Sequence, residues 1–167
     1  KPTQKKKITR LKPNPDNSRS LTKKKKDTNR NIENDKSSKN IPQGKIKWFW
    51  PTQGRVVKSN SPTSKKGMDI SGSLGQTIKA AASGEIVYSG SGLVGYGKLI
   101  IIKHNDKFLS AYAYNSELLV KEGDVVKAGQ KISKMGQDHT GRNMLHFEIR
   151  LNGQPVNPLR HLPKKRA

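Results

Sequence analysis

Side chains able to do metal or acid–base chemistry are few in this 167-residue chain, and their scarcity narrows what it can do. There is no cysteine, which removes disulfides and thiolate metal sites and leaves the redox compartment undecided. Of the four histidines, His104 and His161 have no acidic or imidazole neighbour at ligand spacing and read as structural or surface residues. His139 lies in a polar loop, Gln137 to Asn143. His146 stands in the run Met144-Leu145-His146-Phe147-Glu148-Ile149-Arg150, where alternation puts Met144, His146, Glu148 and Arg150 on one polar face. A histidine there is most often a satisfied structural group. Asp69, in Gly67-Met68-Asp69-Ile70, reads equally as a hydrogen-bonding residue kept for the fold or as a partner contact.

These residues sit in a pattern of short strands and glycine turns. Order begins at Lys47-Trp48-Phe49-Trp50-Pro51, and strands are expected over Arg55 to Lys58, Thr77 to Ala81, Glu85 to Ser89, Lys98 to His104, Phe108 to Tyr114 and Met144 to Leu151. Two more short strands are expected around a tight turn between Glu122 and Ile132. A polar loop, Ser59 to Lys66, precedes Asp69. Strict alternation along Phe108 to Tyr114 puts Tyr112 and Tyr114 on one face. No helix-period segment of useful length and no internal repeat appears, so the fold class is all-β.

The first 45 residues differ from the rest. They hold fifteen of the 34 basic and four of the 12 acidic residues, with only Ile8, Leu11, Leu21, Ile32 and Ile41 as large apolar side chains. Such a stretch buries too little surface to offset its chain entropy, and it reads as a disordered basic linker ahead of a domain over 46–167. A net charge of +22 raises nucleic acid as a partner. Lysine outnumbers arginine and no arginine–aromatic stacking pattern appears, so anionic envelope polymer or an acidic protein surface fits the charge better. No run of 18 apolar residues is present, and because the chain opens on Lys1, a leader or lipid-bearing segment is expected upstream.

Five segments, Gly67-Met68-Asp69-Ile70, Gly84-Glu85-Ile86-Val87, Gly95-Tyr96-Gly97 through His104, Gly129-Gln130-Lys131-Ile132 and Leu145-His146-Phe147-Glu148-Ile149-Arg150, resemble in order and spacing the LytM-type (lysostaphin-like) zinc peptidases. The resemblance implies that family's fold, antiparallel β-sheets in a barrel-sandwich-like arrangement. It also implies a zinc site: a His-x-x-x-Asp pair and the second His of a His-x-His strand as ligands, with two further histidines assisting. Carried onto this chain, the ligand positions are Lys65, Asp69 and His146, and the assisting positions are Tyr114 and Met144. Three of the five have changed. A catalytic zinc needs three His, Asp, Glu or Cys ligands and an open position, and the ammonium of Lys65 would repel the ion. Met144 and Tyr114 supply no imidazole to move protons near neutrality. The expectation is a domain with no metal or cofactor that acts by binding.

The closing run Val156-Asn157-Pro158-Leu159-Arg160-His161-Leu162-Pro163 and the strand Ser110-Ala111-Tyr112-Ala113 are most similar to the murein hydrolase activators of that family. This implies a periplasmic regulator, anchored at the outer membrane through a region upstream, that binds and stimulates an N-acetylmuramoyl-L-alanine amidase for septal peptidoglycan splitting and daughter-cell separation. The expected contact groove consists of Lys65, Asp69, Tyr112, Tyr114, Arg142, Met144, His146, Glu148 and Arg150, since Tyr, Met and Arg are enriched at protein contacts. Two alternatives stay open: a peptidoglycan-binding module that leaves amidases unchanged, and a residual zinc endopeptidase. The Gly123 to Gly136 stretch, with Lys134-Met135, also resembles biotinyl and lipoyl carrier domains, which lack the Gly67-Met68-Asp69 and Leu145-His146-Phe147-Glu148 motifs.

Overall fold

The computed structural model describes residues 44–57 and 67–166. The expected linker up to residue 43, and the loop that carries Lys65, lie outside the described residues. Ten strands, all paired antiparallel, form the fold: β1 (Val56–Val57), β2 (Met68–Ser71), β3 (Thr77–Lys79), β4 (Gly84–Gly90), β5 (Lys98–Lys103), β6 (Phe108–Leu118), β7 (Val125–Val126), β8 (Lys131–Gln137), β9 (Asn143–Leu151) and β10 (Gln154–Val156). A 3-10 turn, Pro158–Arg160, closes the chain, capped by the Asn157 side chain, which accepts from the Leu159 N–H. The sheet runs β1-β2-β9-β8-β6-β5-β4-β7, with β3 on β8 and β10 on β9. The all-β expectation holds, and β10 is an element the sequence reading did not separate from the closing run.

Long β6 and β9 are the frame. The first part of β6, Phe108 to Ala113, pairs with β9, whereas Asn115 to Leu118 pairs with β8. The strand changes partner at Tyr114, whose backbone is left-handed at φ 64°. That conformation costs a non-glycine residue about 1–2 kcal/mol, so its surroundings must hold it there. They do: the Tyr114 N–H donates to the Tyr96 carbonyl at 3.0 Å, and a Cβ at Gly136 would stand 2.5 Å from the Tyr114 carbonyl oxygen. Only glycine lets β8 come that close.

The corner separates two apolar clusters. The larger one packs Ile70, Ile78, Ile100, Ile102, Tyr112, Ile132, Leu145, Phe147 and Ile149, all fully buried. Each such side chain contributes on the order of 1.5–3 kcal/mol by leaving water. The smaller cluster holds Leu99, Ala111, Ala113, Tyr114 and Met144. On β5, Ile100 and Ile102 serve the first cluster and Leu99 and Ile101 the second, which is why that strand reads as continuously apolar.

One expectation about facing is corrected here. Tyr112 and Tyr114 do not share a face. Tyr112 stands opposite Phe147 in the main core, their rings 5.3 Å apart, and its hydroxyl accepts from the Ala81 N–H at 2.8 Å and is hydrogen-bonded with Ser110 Oγ at 2.9 Å. The left-handed residue breaks the two-residue alternation, so Tyr114 joins Ala111 and Ala113 on the other side. Tyr112 is therefore a structural residue and not part of a groove.

Candidate functional site

Register builds the site. Asp69 on β2 lies directly opposite His146 on β9, and Ala113 and Ala111 on β6 lie opposite His146 and Glu148. The two small alanines leave room above the sheet for the imidazole. Gly67 leaves room beside it, since a Cβ there would sit 2.9 Å from His146 Cε1. The result is a linear polar chain across two strands and the loop that carries Tyr96. His146 Nδ1 donates to Asp69 Oδ1 at 2.6 Å and His146 Nε2 donates to Glu148 Oε1 at 3.0 Å. Glu148 Oε2 accepts from Arg150 Nε at 2.7 Å, and Arg150 Nη2 reaches the Tyr96 hydroxyl at 3.3 Å. Asp69, His146 and Glu148 are each about 1% exposed, and Asp69 Oδ2 has no hydrogen-bond partner among the described residues.

Electrostatics follow from that burial. Desolvation alone would lower the His146 pKa, but hydrogen bonds to Asp69 and Glu148 and the charges of both carboxylates outweigh it and carry the value up to about 9. His146 is thus an imidazolium at neutral pH, donating from both nitrogens. Burial acts to raise the Glu148 pKa, yet the bonds from His146 and Arg150 hold it below the usual carboxylate range. Tyr96 is pushed up, first by burial and then by the Glu148 charge.

Aromatic rings flank the imidazolium. Tyr114 lies 6.1 Å and Tyr96 6.2 Å from it between ring centres. Met144, 2% exposed, fills the apolar floor with Tyr114. Arg142, half exposed, is tied to Asp138 by Nε and Nη2 at 3.1 and 2.9 Å in the loop before β9. Among the described residues no hydrogen bond or ion pair joins it to the His146 chain. Lys65 lies outside the described residues. Tyr96 is the member that sequence reasoning missed, although its place between Gly95 and Gly97, both left-handed at φ 88° and 58°, marks a loop that folds a side chain inward.

Tested against a catalytic zinc, these side chains do not fit. Two donor atoms on one tetrahedral zinc stand about 3.3 Å apart, each about 2.0–2.2 Å from the ion. Here Asp69 Oδ1 and His146 Nδ1 share a proton-bearing contact of 2.6 Å instead, and both imidazole nitrogens are spent on carboxylates. Among the described residues no group of three His, Asp or Glu side chains is arranged to hold a metal ion.

The profile of peptidase family M23 matches residues 63–158, more than half of the chain. The chain belongs to this family. It is 56% identical over 120 residues to the murein hydrolase activator NlpD of Escherichia coli, a match covering 71% of this chain and 32% of that protein. It is also 56% identical over 121 residues to the outer membrane antigenic lipoprotein B of Haemophilus influenzae, covering 71% of this chain and 30% of the other. The M23 chain thus spans about a third of the length of these relatives. Among solved structures, the lysostaphin catalytic domain of Staphylococcus simulans superposes with a TM-score of 0.56 at 30% identity, covering 65% of this chain and 86% of that one. The M23 fold is shared, while the side chains at its centre here form an ion-paired chain.

The two buried histidines give M23 stability opposite slopes on either side of neutrality. The raised pKa of His146 means its contribution is fully present below about 6.5 and is lost as pH rises through about 9, worth up to ~3 kcal/mol. His104, bonded to the Ser83 carbonyl and to Ser110 Oγ at 2.7 Å each, is driven down to about 4 by burial, so its contribution is present above about 6.5 and lost as pH falls through about 4. Urea unfolding followed by tryptophan fluorescence from pH 4 to 9 is expected to trace a dome with its top near pH 6.5. A stability that keeps rising between pH 7 and 9 would contradict the imidazolium assignment.

Proposed function

We propose that this M23 domain is a non-catalytic activator that binds a murein hydrolase, an N-acetylmuramoyl-L-alanine amidase, in the periplasm and promotes septal peptidoglycan splitting. The observation that carries the reading is the geometry of His146, whose two ring nitrogens are both bonded to carboxylates, Asp69 at 2.6 Å and Glu148 at 3.0 Å. Beside it stand Met144 and Tyr114, neither able to transfer protons near pH 7, and Lys65 falls four residues before Asp69, at the family's third ligand position. The names of the E. coli relative and its kin support the activator role, and the lipoprotein names support a place in the envelope, with the anchor upstream. Activation by binding requires that the domain contact the amidase's active conformation better than its inactive one. The partner would meet the partly exposed rim of Tyr96 and Arg150, which covers the buried Asp69, Tyr114, Met144, His146 and Glu148.

The test is release of dye from labelled murein sacculi by a purified amidase of the same organism. The chain alone should release nothing, and chain plus amidase should release dye several-fold faster than amidase alone. Failure to stimulate any amidase of that organism would refute the proposal. Sedimentation with sacculi but no stimulation would favour a plain peptidoglycan-binding module.

A further inference from the structure

We infer that the Asn152-Gly153 turn between β9 and β10 is a site of spontaneous covalent modification by water, at which the Asn152 side-chain amide is exchanged for an aspartyl or isoaspartyl linkage. Register fixes the turn. Leu151 pairs with Gln154 and Arg150 with Pro155, so two residues alone connect the strands. Both are left-handed, Asn152 at φ 50° and Gly153 at φ 77°, as in a type I′ hairpin turn, for which Asn-Gly is a preferred pair. Both are exposed, and a Cβ at Gly153 would meet nothing within 4 Å. The Asn152 main chain is anchored, its N–H donating to the Lys107 carbonyl at 2.8 Å. Its side-chain amide has no hydrogen-bond partner among the described residues.

The chemistry needs only water. The Gly153 nitrogen gives its proton to hydroxide and bonds to Asn152 Cγ, the bond from Cγ to the side-chain nitrogen breaks, and ammonia leaves a succinimide ring. Water then opens the ring. Addition at the side-chain carbonyl gives aspartate with the main chain unchanged, and addition at the main-chain carbonyl routes the chain through Cγ, one methylene longer. The net exchange is an amide NH2 for a carboxyl OH. Attack requires an unhindered nitrogen on the following residue and a side-chain amide free to turn, and among the described asparagines Asn152 alone has both. Asn157 precedes Pro158, whose nitrogen bears no proton. Asn105 and Asn143 precede the larger Asp106 and Met144, and their Oδ1 atoms accept from the Phe108 N–H at 2.8 Å and Gln137 Nε2 at 3.1 Å. Asn115 precedes the small Ser116 but is buried, its Nδ2 donating to the Lys98 and Tyr112 carbonyls at 2.8 Å each and its Oδ1 accepting from Ser133 Oγ at 2.7 Å. The consequence falls on β10. A two-residue turn sets the hairpin register, and an added main-chain methylene no longer fits it. Val156, packed on the main core, and the pairing of Pro155 with Arg150 both depend on that register.

The experiment holds the purified chain at pH 8 and follows two tryptic peptides, residues 151–160 and 108–121, by chromatography and mass spectrometry. The first should yield two product peaks of equal mass, heavier than the parent by the exchange of NH2 for OH, with fragmentation placing the change at Asn152 and not at Asn157. In heavy-oxygen water the label should enter at that residue. Conversion at Asn152 should outrun that at Asn115 by at least about tenfold, since Asn115 must first break three hydrogen bonds. It should also quicken as pH rises, because the attacking nitrogen must lose its proton. The isolated isoaspartyl chain should unfold at a lower urea concentration than the parent. Asn152→Asp, which adds the same charge at a left-handed position that aspartate tolerates, should unfold with the parent. No conversion in the folded chain, while the excised 151–160 peptide converts, would overturn the inference by showing that the turn keeps the reacting atoms apart. Equal rates at Asn152 and Asn115 would overturn it by placing the reaction in the unfolded chain, and an isoaspartyl chain as stable as Asn152→Asp would overturn the consequence drawn for β10.

Discussion

Replacing His146 with alanine is expected to destabilise the domain by about 3–5 kcal/mol at pH 7, the range for removing one partner of a buried ion pair. The imidazolium bonds two carboxylates that are each about 1% exposed. Without it Asp69 loses the one side-chain partner it has among the described residues, where its Oδ2 has none. Glu148 retains Arg150, so Asp69 bears most of the loss. Two buried anions on adjacent strands then favour taking up protons on folding. The loss measured by urea unfolding should therefore shrink as pH falls from 7 to 5, unlike a simple cavity effect, which is insensitive to pH. Glu148→Gln should cost less, because His146 keeps Asp69 and the Arg150 head is partly solvated. Equal losses at pH 5 and 7 for His146→Ala would show that Asp69 and Glu148 take up no protons when the imidazolium is removed and that the ion-paired chain is wrongly drawn.

That chain was only half legible in the sequence. Alternation along Met144 to Leu151 is regular, so the facing of His146, Glu148 and Arg150 follows from a period of two, and the β9 register then sets Asp69 opposite His146. Glycine punctuation also located most strands, since turns at Gly75, Gly123, Gly129 and Gly153 use left-handed backbone that glycine favours. What could not be read was the corner of β6. Nothing in Tyr-Ala-Tyr-Asn announces that Tyr114 is left-handed, because the conformation is imposed from outside, by the Tyr96 carbonyl and the close approach of Gly136. One residue of broken alternation moved Tyr114 to the site, while Tyr112 stayed on the core face opposite Phe147. Tyr96 escaped for the same kind of reason: its role depends on a contact 52 residues away with Glu148.

Turning the centre back toward a metal site is the most demanding test of how much of the M23 scaffold survives. In Lys65→His/Tyr114→His/Met144→His, the first change replaces a repelling ammonium with a neutral donor and completes three ligands with Asp69 and His146. It should supply most of the zinc affinity. The second suits the backbone, since histidine is enriched several-fold over bulky residues in the left-handed region that Tyr114 occupies. The third puts a polar ring where Met144 is 2% exposed among Leu99, Ala111 and Ala113, at a cost of roughly 1–3 kcal/mol if unpaired. The apo triple variant should thus melt below the parent, and zinc should raise its melting point by mass action, about 2.7 kcal/mol at a hundredfold excess over Kd. Zinc must also displace the His146 proton, held with a pKa of about 9, so the apparent zinc affinity should climb nearly tenfold per pH unit from 7 toward 9. Peptidase turnover should remain slight, because ligands and bases must be held within about 0.5 Å by a supporting shell, and here Glu148 and Arg150 are committed to ion pairing. Stoichiometric zinc by elemental analysis with that pH slope would mean an M23 backbone intact beneath changed side chains. No zinc at pH 8 would mean that the loop bearing residue 65 no longer approaches Asp69, and undiminished amidase stimulation by the same variant would place the partner elsewhere than this groove.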